Sequence, residues 1–241
     1  YGNQEFQTAL DWFEDAAEDQ RFRDLAEYYI LECRFMLKDY KYVTDNGEAM
    51  YESVPEARKS HLARIISESW LVQDEVEKAR EYYDLGADGT EAKTRSDWFY
   101  GGSLLYALDD FEGAVASYGK MTERSDSLGQ IANYHLGYSY IQLKNKVAAL
   151  GAFKDAAQQN HDLQIKEDAF FNWAKLAFDL NEDTSVFNDY IKTYPAKEQE
   201  QRINSYIAVA ALHDRDYEGA VNAYDKIDEL DEGMVSNYMK A

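Results

Sequence analysis

The sequence is short of cysteine, proline and positive charge, and each shortage excludes something. Its 241 residues hold 1 Cys and 2 Pro. A lone Cys33 cannot close an internal disulfide, so no bridged framework holds the fold. Proline averages about 5% of residues in globular chains, and two in 241 point to helices with little irregular loop. Lys and Arg number 25 against 46 Asp and Glu, a formal net charge of -21. A chain this acidic repels phosphate, which makes nucleic acid and anionic membrane surfaces poor partners. There is also no apolar run of 18 residues, hence no spanning helix, and no charged n-region followed by an apolar h-region. The chain opens on Tyr1 rather than methionine, which points to a processed or trimmed product.

What is present can fill a core. Hydrophobic residues make up 45% and aromatics 15%, including 20 Tyr, which excludes disorder. Those residues recur. A small or β-branched residue followed four later by an aromatic occurs at Ala79/Tyr83, Ala114/Tyr118, Ala149/Phe153, Val186/Tyr190 and Ala220/Tyr224, in steps of 35, 35, 37 and 34 residues. A weaker copy stands 36 residues upstream at Val43, with Gly47 in place of the aromatic. Twelve residues before these positions lie Ser67, Gly102, Gly137, Ala174 and Ala208, with Leu31 as the exception in the first copy. Four residues before them come Asp39, Glu75, Asp110, Asn145, Glu182 and Asp216.

The spacing describes a helical hairpin repeated six times. The small residue lets the second helix approach the first, and the polar turn residue caps the second helix by accepting its orphan N–H groups. The alanine and aromatic four apart share one face of that second helix. First helices are expected near 22–38, 57–72, 92–108, 127–143, 163–180 and 198–213. Second helices are expected near 40–53, 74–85, 110–122, 145–158, 182–193 and 216–229, with GADGT at Gly86–Thr90 the most loop-like stretch.

These residues resemble the tetratricopeptide repeat (TPR), a helix–turn–helix unit of about 34 residues. Leu136, Gly137, Tyr140, Ala149, Phe153 and Ala156 carry the signature best, followed by Trp98, Gly102, Ala114 and Tyr118. Pro55 falls on the family's terminal proline position, and Pro195 lies three residues short of it. The first repeat departs most, through Leu31 and Gly47. The resemblance implies an all-α fold, a right-handed α-solenoid of about six TPR hairpins plus unpaired terminal helices. It spans 1–241 as a single array, with repeats near 22–55, 57–90, 92–124, 127–160, 163–196 and 198–231. Half-repeats at 3–18, where Ala9 and Phe13 hold second-helix positions, and at 233–241 suggest a fragment of a longer array, or else capping helices.

No catalytic constellation assembles. His61, His135, His161 and His213 lack helical i, i+4 partners, so H-E-x-x-H is missing, as are G-x-S-x-G, Walker and G-x-G-x-x-G motifs. Cys33 reads as a small buried hydrophobe rather than a nucleophile. The acidic run DELDE at Asp228–Glu232 lacks the spacing of a calcium loop and reads as a solvated charge run. The expectation is no enzyme, no cofactor and no metal.

Binding is the better expectation. In the resembling family the first helices line a concave face, which here implies a groove of Phe99, Tyr106, Tyr134, Tyr138, Phe171 and Phe178, with Lys175 beside them. Such a strip would bury apolar or aromatic side chains of a partner; the same aromatics would equally serve as packing between helices. The family's Lys/Asn/Arg clamp for a terminal carboxylate is poorly matched, since only Lys175 and Arg64 are basic there. The expected function is a non-catalytic scaffold for a protein or peptide with a basic or neutral contact surface. Two alternatives are a self-assembling solenoid that braces a larger complex and a regulatory region of a longer multidomain protein. Val186–Pro195 is also similar to repeats of bacterial envelope proteins, the Tol–Pal coordinator and the outer-membrane assembly lipoprotein, implying a periplasmic or cell-envelope setting.

Overall fold

A computed structural model describes residues 3–86, 93–121, 125–181, 183–194, 197–213, 215–230 and 232–239. All regular structure among them is α-helical, and the chain divides into two compact units, Tyr1–Ser117 and Tyr118–Ala241. The first unit begins with α1 (Asn3–Ala17). Three hairpins follow: α2 (Arg23–Met36) with α3 (Tyr40–Ser53), α4 (Glu56–Val72) with α5 (Val76–Gly86), and α6 (Arg95–Ala107) with α7 (Phe111–Tyr118), whose last residue crosses into the second unit. The second unit pairs α8 (Ser127–Gln142) with α9 (Lys146–Ala157), α10 (Leu163–Asn181) with α11 (Ser185–Thr193), and α12 (Lys197–His213) with α13 (Tyr217–Tyr224), then ends in α14 (Glu232–Tyr238). The fold is the expected all-α solenoid of helical hairpins, with helix ends within a few residues of the repeat spacing. Residues 87–90 of the GADGT stretch, Glu182, Pro195 and Asp231 of the DELDE run lie outside the described residues.

Five of the hairpins turn the same way. Lys38, Asp74, Asp109, Lys144 and Arg215 have φ between 58° and 65°, two residues before the start of the second helix. None is glycine, and the left-handed conformation costs an L-residue roughly 1–2 kcal/mol. Two sets of hydrogen bonds offset it. The next amide donates to the carbonyl five residues back, as from Asn145 to Tyr140 (2.8 Å) and from Asp216 to Ala211 (2.8 Å). The same residue then caps the new helix: Asp39 accepts from the Tyr42 amide, Asp110 from Gly113, Asn145 from Ala148 and Asp216 from Gly219.

Inside the α8–α9 hairpin the small residue and the aromatic meet. A Cβ on Gly137 would lie 2.6–2.7 Å from the Phe153 ring, so that ring packs on bare backbone. Ser67 keeps the approach by another route, its hydroxyl donating to the Ala79 carbonyl (2.7 Å). The first hairpin inverts the pair: Leu31 is fully buried, and a Cβ on Gly47 would lie 2.7 Å from Ile66 of α4. Large and small have exchanged places, and the next first helix fills what the missing aromatic leaves open. The stacking rings Tyr118, Phe153, Tyr190 and Tyr224 are among the largest fully buried side chains.

The ends and turns are also packed. Ala9 and Phe13 of α1 pack against Leu10, Ile30 and Cys33, and Phe13 stacks on Tyr29 at 4.9 Å. Burial pushes the Cys33 thiol up, away from the thiolate, which suits a packing role. In the second unit the buried Gln130 of α8 ties down the connection between α9 and α10. Its Nε2 donates to the carbonyls of Ala156, Gln159 and Asp162, and its Oε1 accepts from the amides of His161 and Asp162.

The α8–α9 hairpin carries its own control. Gly137→Ala drives a methyl into the Phe153 ring and is expected to cost about 1–2 kcal/mol. Gly151→Ala on α9 enters open space, with no atom within 4 Å, and should gain about 0.5–1 kcal/mol. Urea unfolding followed by far-UV circular dichroism reads both. A midpoint unmoved or raised by Gly137→Ala contradicts the close approach.

Candidate functional site

Polar side chains on the first helices join neighbouring hairpins. In the first unit, His61 Nε2 of α4 lies 3.0 Å from Glu32 Oε1 of α2, and Arg64 Nη2 lies 3.2 Å from His61 Nδ1. A guanidinium only donates, so His61 Nδ1 is the acceptor and Nε2 carries the proton given to Glu32. Arg64 Nη1 also donates to Asp97 Oδ2 (2.9 Å) of α6, and the Asp97 carboxylate closes a capping box with Thr94. Burial works against the Glu32 charge, but hydrogen bonds from His61 and Tyr28 outweigh it and hold its carboxyl below the ordinary range.

A cavity of about 40 Å³ lies between α4, α5 and α6, lined by Arg64, Ser67, Glu68, Tyr83, Asp97 and Tyr100 among others. Burial pushes the Glu68 carboxyl up to about 8; a hydrogen bond from Tyr100 opposes the shift and the nearby Asp97 charge adds to it. Burial, then the Glu68 charge, pushes the Tyr100 phenol up as well, and Tyr100 also bonds Tyr40 of α3. At neutral pH Glu68 is therefore a protonated hydrogen-bond donor in a space fit for a water-sized group. The Ser67 hydroxyl beside it is given to the Ala79 carbonyl.

In the second unit, Tyr134 and Tyr138 of α8 donate to one oxygen of Asp168 on α10, Oδ2, at 2.9 and 2.7 Å. Asn172 Nδ2 donates to the same oxygen (2.9 Å) and sits 3.1 Å from the Tyr138 hydroxyl. The two phenol rings meet edge to face at 5.0 Å, and both meet Phe153. Burial raises both phenols, and bonding to Asp168 adds to it, so they remain donors.

The seven side chains expected in the groove thus have different surroundings. Tyr134 and Tyr138 converge on Asp168. Phe171 is 8% exposed, packed with Phe187 and Tyr190, with the Arg202 guanidinium 5.1 Å over its ring. Phe178 packs on Phe187 and Tyr206. Phe99 and Tyr106, in the first unit, meet Tyr100 and Phe111 edge to face. Lys175 is partly buried and makes no ion pair among the described residues.

Reading positions around the small residue missed Asp168, Asn172, His61 and Asp97. The signal was a second spacing. Glu32–His61, Tyr138–Asp168, Arg64–Asp97 and Tyr134–Asp168 are separated by 29 to 34 residues, always less than one repeat. A polar residue early on a first helix reaches back to the middle of the preceding one. Among the described residues no three His, Cys, Asp or Glu side chains converge as metal ligands, and no helix is long and apolar enough to cross a membrane.

Glu68 gives a pH test. A carboxyl raised from 4.5 to about 8 leaves the folded state holding a proton that the unfolded state has lost. Its contribution is therefore complete below the unfolded value and lost as pH rises toward about 8. The urea midpoint of the first unit should fall between pH 5 and about 8, and Glu68→Gln should flatten that slope and raise the midpoint at the alkaline end. An unchanged slope in Glu68→Gln contradicts the assignment.

No family model matches the chain, and no curated protein matches it. A solved structure does: the C-terminal part of a TPR repeat-containing protein from Cytophaga hutchinsonii, 18% identical, with a TM-score of 0.59. The match covers 98% of this chain and 95% of that one. The repeat seen in the residues and the hairpins seen in the structure thus have a solved counterpart, and the chain has a TPR-like fold.

Proposed function

We propose that the chain is a non-catalytic protein-interaction scaffold whose first helices hold a basic segment of a partner protein. The carrying observation is the arrangement of Asp168. Three donors from Tyr134, Tyr138 and Asn172 converge on its Oδ2. Its Oδ1 takes no hydrogen bond among the described residues. The donors orient the carboxylate without neutralising it, so it offers an acceptor to a lysine or arginine, a charge-assisted bond of about 1.5–3 kcal/mol. The phenol rings beside it supply faces for the same cation. Lys175, two turns along α10, supplies a donor for the segment's carbonyl oxygens. The TPR-like fold supports a role in binding proteins, and the net charge of -21 favours encounter with basic surfaces.

A peptide array of synthetic twelve-residue sequences graded in charge tests the reading. Lysine- and arginine-containing peptides should be retained over acidic ones, with retention falling as salt rises. Asp168→Asn should weaken retention about tenfold, and Tyr138→Phe several-fold. Equal retention of acidic peptides, or no loss in Asp168→Asn, overturns it.

A further inference from the structure

The hairpins differ at their open ends, away from the turn. In the second, Gly86 closes that end so tightly that a Cβ there would lie 3.2 Å from Arg64 Cγ and 3.3 Å from the Ser60 carbonyl. In the fourth, Ala156 is fully buried at the equivalent position and its carbonyl accepts from Gln130. In the first hairpin the equivalent residue is Met50, 36 residues before Gly86. That end is open, a cleft of about 680 Å³ between α2, α3 and the start of α4. The volume falls in the range of about 300–1,000 Å³ typical of ligand sites.

The walls define what fits. Leu25, Met50, Val54 and Pro55 line an apolar part, and Leu25 is 43% exposed. Methionine walls adapt to varied apolar shapes. Asp24 and Glu27 also line the cleft, are exposed, and make no ion pair among the described residues. The one cation in the lining, Arg58, lies over the rings of Tyr28 and Tyr29 at 4.6 and 5.7 Å, so it is engaged on the cleft wall.

We infer that this cleft is a second docking site, taking one aromatic or long aliphatic side chain of a partner protein with lysine or arginine on either side. The apolar side chain enters against Leu25, Met50 and Val54, and the flanking cations meet Asp24 and Glu27. The site shares no residue with the Asp168 cluster, so either stands or falls alone.

Methyl NMR of the full chain labelled with 13C-methyl methionine tests it, since Met50 lines the cleft and the other four methionines do not. The probe is the capped peptide Gly-Lys-Phe-Lys-Gly. It should shift the Met50 methyl resonance saturably, with a dissociation constant below about 1 mM. The Gly-Glu-Phe-Glu-Gly peptide should bind about tenfold more weakly or less. The double change Asp24→Asn/Glu27→Gln should weaken the first peptide several-fold, and Ala49→Trp, which fills the cleft, should abolish the shift. All three positions are exposed, so the fold is retained. Asp168→Asn should leave the shift unchanged. Absence of a saturable Met50 shift, equal binding of the glutamate peptide, binding that survives both cleft variants, or loss in Asp168→Asn would overturn the inference.

Discussion

Two helices lie only as close as their facing side chains allow, and here a missing side chain opposite a large ring sets that distance. Gly137 and Phe153 are sixteen residues apart and touch ring to backbone. Ala174 and Ala208 keep the position small and buried, and Ser67 spends its hydroxyl on the facing carbonyl. With the approach fixed, the turn follows. In five of the hairpins the chain reverses through a left-handed residue that is not glycine, followed by the amide and cap bonds that offset its cost. At the first hairpin the space beside Gly47 is filled by Ile66 of the next first helix, while Leu31 is fully buried. The first hairpin exchanges large for small and still buries both.

A second constraint is electrostatic. With 46 acidic and 25 basic residues, carboxylates outnumber the cations able to pair with them. Phenols take up the task. Tyr28 bonds Glu32, Tyr100 bonds Glu68, Tyr134 and Tyr138 bond Asp168, and Tyr190 bonds Glu167 at 3.3 Å. A phenol donates one hydrogen bond without bringing a countercharge, so it orients the carboxylate as a cation would but does not neutralise it. Where solvent is excluded, as at Glu68, the acid keeps its proton instead. The abundance of tyrosine and the excess of acid are thus two aspects of one pattern. That pattern leaves fixed carboxylate acceptors on the first helices.

The legible part of the fold was local or periodic. Helix ends, the caps at Asp39, Asp110, Asn145 and Asp216, and the buried aromatics of the second helices all follow from residues within a turn or one repeat of each other. The candidate site was half legible. Tyr134 and Tyr138 lie on the first helix α8 as the spacing implied, but the carboxylate that unites them did not show, because Asp168 sits on the next first helix and only the packing of α10 on α8 brings it there. Phe171 illustrates the sensitivity. One residue is about 100° around a helix, so a small rotation of α10 decides whether a ring faces outward or packs on Phe187 and Tyr190.

By itself the sequence determined an array of helical hairpins, its period, its turns and its acidity, because each depends on spacing along the chain or on composition. Tertiary structure alone decided which carboxylates are held by phenols and which by cations, that Glu68 is buried enough to stay protonated, and that the first hairpin ends in an open cleft where the second and fourth are sealed. Those outcomes depend on the rotation and separation of neighbouring helices. Side chains some thirty residues apart set these together, and the periodicity leaves them free.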